Sequence, residues 1–312
     1  MKYKFILFIA FIVYACKPAE QAKEETVYMF SYFTDNGEDG LHLAYSLDGL
    51  KWEALKDGKS FLMPQVGKDK LMRDPSIVQD TDGTFHMVWT SGWWDQGIGY
   101  ASSKDLKNWT EQRQIPVMDK FEGTRNSWAP ELFYDKGAKV FYIIWSSTIP
   151  GAFHETENPE IEKGLNHRLY YATTKDFKTF SDTKLYFDPG FNVIDGAILH
   201  DNDTFYLFVK NETLKPEEKN IRVTSGKIPY NFPATVSPPI TGNYWAEGAS
   251  PLRIGEYVYV YFDKYVDKKY GAVRSKDMQK WEDVSDTVVF PPKAKHGTVF
   301  VVSKKFFNSL NP

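Results

Sequence analysis

One phrase recurs four times in this chain: a short strand, a polar turn carrying Asp, and an aromatic residue. The copies run from Leu43 to Trp52, Gly99 to Trp109, Tyr170 to Phe180 and Gly271 to Trp281, with a degraded fifth copy from Ile221 to Ser225. A repeated supersecondary unit is the mark of repeat architectures and restricts the fold more than composition does. Ahead of each copy lies a strongly β-like run: Tyr28 to Phe33, Phe85 to Trp89, Val140 to Trp145, Phe205 to Val209 and Tyr257 to Phe262. Hairpin signals precede four of these, at Asp82-Gly83, Lys136-Gly137, Asp201-Asn202-Asp203 and Ile254-Gly255.

A further phrase opens an innermost strand ahead of each hairpin signal: Arg73-Asp74-Pro75-Ser76, Trp128-Ala129-Pro130-Glu131, Ile194-Asp195-Gly196-Ala197 and Ala246-Glu247-Gly248-Ala249. The unit is therefore four antiparallel strands, the blade of a β-propeller. The first copy lacks its inner strand, and a spare one stands at the other end, from Lys295 to Val302. The expected fold is all-β, a five-bladed propeller closed by the C-terminal strand completing the N-terminal blade. An open β-sandwich array would not place the missing strand there.

This topology puts every inner-strand start on one face, near the axis. The turns between second and third strands share that face and should wall a central pocket: Thr34 to Gly40, Ser91 to Gln96, Ser146 to Asn166, Asn211 to Lys219 and Asp263 to Lys268. The longest, Ser146 to Asn166, exceeds an ordinary hairpin loop and is a candidate specificity element.

Asp74, Asp195 and Glu247 are each the second residue of their phrase, so ring closure brings three carboxylates together at strand mouths. Glycoside hydrolysis needs two carboxyl groups flanking the scissile bond, one protonating the leaving oxygen and the other activating water or attacking carbon. A third nearby can raise the acid's pKa by like-charge repulsion.

These phrases resemble those of glycoside hydrolase family 43, inverting five-bladed enzymes that trim arabinose and xylose from plant polysaccharides. The resemblance implies that Asp74, in Arg73-Asp74-Pro75, is the general base, that Asp195 tunes and orients the acid, and that Glu247 is the general acid. It also matches Trp128-Ala129-Pro130 to a second-blade motif and His296-Gly297 to a histidine beneath the sugar site. Gly196 and Ala249 depart from the family's usual Pro. The substrate it implies is an arabinofuranoside or xyloside, in the manner of an α-L-arabinofuranosidase or β-xylosidase. Family 32 fructan hydrolases carry an Arg-Asp-Pro motif too. Under that alignment Asp74 stabilises the transition state, the base or nucleophile moves to Asn36 to Gly40, and the acid is Glu131. A non-catalytic glycan-binding propeller using the same pocket is a further alternative, as is a protein-interaction propeller.

Around the carboxylates, Arg73, Trp93, Arg125, Trp128, Glu131 and His296 are candidate substrate-binding residues. Trp94, beside Trp93, belongs with them in a wall loop, where flat apolar faces suit sugar C–H surfaces. Trp52, Trp109 and Trp281 recur in the outer phrase and should pack blades together.

The 38 basic and 41 acidic residues leave a formal net charge of -3 and no basic block, so nucleic acid is not an expected partner. No His-Glu-x-x-His, Gly-x-Ser-x-Gly or phosphate-binding glycine loop is present. The six His are scattered singly, so no transition-metal site is expected. No cofactor is required, and the axis leaves room for a structural calcium or sodium ion.

Lys2 and Lys4 precede an apolar run from Phe5 to Val13, and Tyr14-Ala15 then leads to Cys16, the only cysteine. This resembles a bacterial lipoprotein signal. The expected organisation is a signal peptide over 1–15, a flexible tether over 16–26 beginning at a lipidated Cys16, and a catalytic propeller over 27–312. The mature protein should be exported, held to a membrane by its lipid alone, and monomeric, with an oligo- or polysaccharide as its partner.

Overall fold

The computed structural model describes Met1 and residues 25–310, with the side chain of Glu162 left aside. The signal, Cys16 and nearly all of the tether therefore lie outside the described residues. Five sheets make up the fold, each strand hydrogen-bonded to its neighbour in antiparallel order. Blade 1 is built from Arg73–Gln79, Phe85–Thr90, Ile98–Ser103 and Arg113–Ile115; blade 2 from Trp128–Asp135, Val140–Ser147, Arg168–Thr174 and Lys184–Phe187. Blade 4 comprises Glu247–Ile254, Tyr257–Lys264, Lys269–Ser275 and Glu282–Asp283. Blade 5 joins the chain ends, with Lys295–Ser303 as its inner strand and Thr26–Phe33, His42–Ser46 and Glu53–Ala54 outside it. The pairing runs from Thr26 opposite Ser303 to Phe33 opposite Lys295. The five-bladed ring with a C-terminal closing strand is thus as the repeats require.

Blade 3 has three strands, Val193–Asp201, Thr204–Asn211 and Asn220–Gly226. Its third strand is the degraded copy of the repeat, which has no turn-and-aromatic ending to lead into a fourth. An irregular stretch covers the edge, with the N–H groups of Ser237 and Ile240 donating to the carbonyls of Val223 and Ile221. This satisfies backbone groups that an open edge would leave exposed.

The second strands are the most buried elements. Phe85 to Thr90 is buried at every position, because each sits between its own blade and the next. Apolar side chains from adjacent blades fill the gaps, as where Val88 and Ile98 of blade 1 meet Leu132 and Ile143 of blade 2. The Trp of the outer phrase behaves as expected. Trp52 is buried against Phe30, Tyr261 and Phe290, and its indole N–H donates to the Gly49 carbonyl. Trp109 repeats that bond with Leu106. A short helix, Lys304–Ser309, follows the closing strand and packs Phe307 against Tyr45; the repeat pattern gives no sign of it.

Candidate active site

All five inner strands carry the same irregularity at the same depth. In blade 1, Arg73 pairs with Thr90 and Ser76 with Val88, so Asp74 and Pro75 together oppose Trp89. Ala129-Pro130, Asp195-Gly196, Gly248-Ala249 and His296-Gly297 are the corresponding pairs in the other blades. Each is a β-bulge, a device that bends a strand and re-aims a side chain. Asp74, Ala129 and Asp195 accordingly adopt φ of 52°, 45° and 56°, and Gly248 66°. Non-glycine residues in this region cost about 1–3 kcal/mol each and concentrate at functional sites.

The bulge corrects one expectation. By phrase, Glu247 stands level with Asp74 and Asp195. By pairing, its counterparts are Arg73, Trp128 and Ile194, one residue ahead of the bulge, and Gly248 takes the bulge position. The three carboxylates are nonetheless brought into one group, with His296 at its centre. Imidazole Nδ1 of His296 lies 3.3 Å from Asp74 Oδ1. Gly248 N–H donates to Asp195 Oδ2 at 3.0 Å, and a Cβ at Gly248 would stand 2.5 Å from the His296 ring. Blade 4 thus needs glycine at the bulge because the imidazole packs against its backbone.

Electrostatics separate the members. Burial pushes Asp74 up, but the His296 and Arg73 cations and the Thr90 hydroxyl outweigh it and hold the carboxyl below its ordinary range. Thr90 Oγ1 donates to Asp74 Oδ2 at 2.7 Å and accepts from Ala129 N–H at 2.8 Å, locking the carboxylate to the next blade. Burial raises Asp195 to about 6, with Glu247 and Asp74 adding to it and His296 and Lys210 opposing. Burial would lower His296, but Asp195, Asp74 and Glu247 overcome it and raise the imidazole to about 10. At neutral pH the axis therefore holds an imidazolium ringed by acids.

Glu247 has a partner that sequence reasoning missed. Lys210 Nζ lies 3.0 Å from Glu247 Oε2 and 2.6 Å from Glu212 Oε2, on a side chain only 1% exposed. Glu212 also meets Lys219 at 2.6 Å, and Tyr265 closes over Lys210 at 4.7 Å. In sequence Lys210 ends a β-like run and looks like an ordinary solvent-facing strand terminus. Nothing local marks it as buried; only the neighbouring blade's carboxylate does. Asp263 is another such residue. It pairs directly across from Glu247, and burial together with Glu247 raises it to about 7.

The aromatic wall lies on blades 1 and 2. Trp93 and Trp94 are partly exposed and flank Trp128, with ring centroids 5.7 and 5.9 Å from it. Trp128 Nε1 donates to the Trp93 carbonyl at 2.7 Å. Arg73 stacks between Trp93 and Phe33 at 4.3 and 4.7 Å and donates to Asn36 Oδ1. Arg125 lies over Trp94 at 5.2 Å and bonds the Lys163 carbonyl. Both arginines thus hold the wall's own rings and loops. Glu131, two residues past its bulge, points at the closing strand and accepts from Thr298 Oγ1 at 3.0 Å; burial raises it to about 7. The carboxylates of the Asn36 to Gly40 loop engage local partners instead: Glu38 accepts from Asn36 N–H, and Asp39 meets His42 at 2.8 Å.

Residues 24–307 match the family-43-related model described as "Probable glycosyl hydrolase domain". The chain belongs to this glycosyl hydrolase family. It is 28% identical over 116 residues to an alpha-L-arabinofuranosidase of Bifidobacterium longum subsp. longum, covering 35% of this chain and 11% of that protein. A beta-xylosidase of Formosa agariphila is 26% identical over 148 residues, 46% of this chain and 24% of that protein. The chain thus spans a quarter or less of the length of these two relatives. The crystal structure of an alpha-L-arabinofuranosidase from Lactobacillus brevis superposes with a TM-score of 0.53 at 16% identity, over 68% of this chain and 72% of that one. The likeness to that structure is one of fold. Among the described residues no group of three or more His, Cys, Asp or Glu is arranged to hold a metal ion.

Proposed function

We propose that this glycosyl hydrolase domain cleaves arabinose- or xylose-containing glycans by single displacement with inversion. The observation that carries the reading is the convergence of Asp74, Asp195 and Glu247, from three blades, on the His296 cation. Asp74 is the base. Held ionised by Thr90 and His296, it accepts a proton from the water that attacks the anomeric carbon. Glu247 is the acid and gives its proton to the leaving oxygen as the glycosidic bond breaks. Lys210 orients that carboxyl while Glu212 offsets much of the ammonium's charge. Asp195 positions the acid through the neighbouring Gly248 N–H and adds negative charge beside it. The wall of Trp93, Trp94 and Trp128 supports a role in sugar stacking. The His296 imidazolium already sits among the axial acids, so the scheme needs no cofactor or ion.

The fructan-hydrolase alignment draws less support, because Glu131 is tied to Thr298 and the Asn36 to Gly40 loop offers the axis no carboxylate. Export, lipidation at Cys16 and a monomeric state belong to the same proposal, with a glycan as partner.

Turnover of nitrophenyl glycosides and plant oligosaccharides by the mature chain, with Glu247→Gln beside it, tests the reading. Release of arabinose or xylose with an inverted anomeric configuration is expected. Glu247→Gln should lose about 10²–10⁴ in rate on natural glycosides. Sugar binding without turnover by the wild type would favour the glycan-binding alternative.

A further inference from the structure

We propose that a cavity between the wall loops of blades 2 and 3 is a subsite for a neutral sugar residue on the leaving-group side of the scissile bond. The inference rests on the hydrolase reading above. The cavity measures about 320 Å³ and is lined by Glu155, Glu157, Phe191, Asn192, Thr213 and Lys215, among others. This volume is within the range of small-ligand sites.

Its position gives it a role. Asn192 is buried three residues ahead of Asp195. Its amide oxygen accepts from the backbone N–H of His167, and its Nδ2 donates to the Leu165 carbonyl, so the floor is fixed to blade 2. Thr213 follows Glu212, which meets Lys210, which meets Glu247. The cavity wall at Thr213 is thus next in the chain to Glu212, which braces the acid through Lys210, and the departing half of the substrate leaves on the acid's side.

Its lining specifies the ligand. Phe191 offers one partly exposed ring, suited to a sugar's C–H face. The hydroxyl of Thr213 and the carboxylates of Glu155 and Glu157 suit sugar hydroxyls. Two carboxylates against the single ammonium of Lys215 disfavour a uronate there. The long Ser146 to Asn166 loop, singled out for its length, supplies one side.

The test compares kcat/KM for a pentosyl fluoride and an unbranched neutral pentotetraose, in wild type, Phe191→Ala and Glu155→Gln, with thermal unfolding as the folding control. Phe191→Ala should lose about tenfold or more on the tetraose, equivalent to one well-placed stacking contact. The fluoride should change less than about twofold, since its one-atom leaving group does not reach the ring. Glu155→Gln should keep the neutral tetraose and improve a uronate-bearing one. An unchanged ratio of the two rates in folded Phe191→Ala overturns the subsite and leaves the hydrolase reading intact. A wild type that prefers the uronate-bearing chain overturns the neutral-sugar assignment. Absence of turnover on both substrates in the wild type overturns the underlying reading itself.

Discussion

His296 Nδ1 stands 3.3 Å from Asp74 Oδ1, and these residues come from opposite ends of the propeller's chain, the first complete blade and the closing strand. The pair joins ring closure to catalysis: the cation that keeps the proposed base ionised is supplied by the strand that shuts the ring.

His296→Gln should therefore weaken both. The imidazole is raised to about 10 in the folded state against about 6.5 unfolded. Its stabilising contribution is complete below about pH 6.5 and fades as pH rises toward 10. The gap in melting temperature between wild type and His296→Gln should be widest near pH 6 and shrink by pH 9.5. A gap that is constant across this window contradicts the charged state assigned here.

Thr90→Val removes the donor to Asp74 Oδ2 and the acceptor for Ala129 N–H. Loss of stability of about 1–3 kcal/mol is expected from the buried unpaired groups, read by urea denaturation. Without that hydrogen bond the Asp74 carboxylate is less favoured over its acid. The acidic limb of the kcat/KM profile should move to higher pH. A limb that stays in place would remove Thr90 from the base's support.

Glu131→Gln separates the two catalytic alignments. The Glu131 carboxyl is raised to about 7 in the fold, so ionising it opposes folding increasingly as pH climbs from about 4.5 through 7. The Gln variant should match wild type near pH 4, exceed it in stability near pH 8, and retain glycoside turnover within about tenfold, a range set by indirect effects on neighbouring groups. Abolished turnover with intact folding would put the fructan-hydrolase alignment ahead.

Gly248→Ala places a methyl group 2.5 Å from the His296 ring at φ +66°. The His296 side chain is 14% exposed and is held beside Asp74. Strain of about 1–3 kcal/mol, together with displacement of the imidazole, should cost both stability and turnover. Turnover equal to wild type would show that the imidazole's position is not critical.

The blades, the closing strand and the convergence of Asp74, Asp195 and Glu247 were legible because each depends on local pattern and order. The misplacement of Glu247 by one residue shows where that legibility ends. A bulge is defined by what lies across the strand, and the phrase Ala246-Glu247-Gly248-Ala249 looks alike whether the bulge falls at Glu247 or at Gly248. Lys210 and Asp263 were hidden for a related reason. Both stand near the ends of second strands, where a polar residue ordinarily meets water; Lys210 is buried against the next blade's Glu247, and Asp263 lies across its own hairpin from the same residue. Blade 3 departs from the four-strand unit that the repeats imply, and its degraded copy marks the place where the outer strand is missing.

The bond between the first and last strands also sets a schedule. Ribosomes deliver chains from the N-terminus, so Asp74, Asp195 and Glu247 emerge in turn while residues 295–303 are still untranslated. Until that segment arrives, Thr26–Phe33 has no inner neighbour and the acids have no imidazolium between them. A nascent propeller can stack its middle blades, yet its active site is complete only once the strand that shuts the ring is in place.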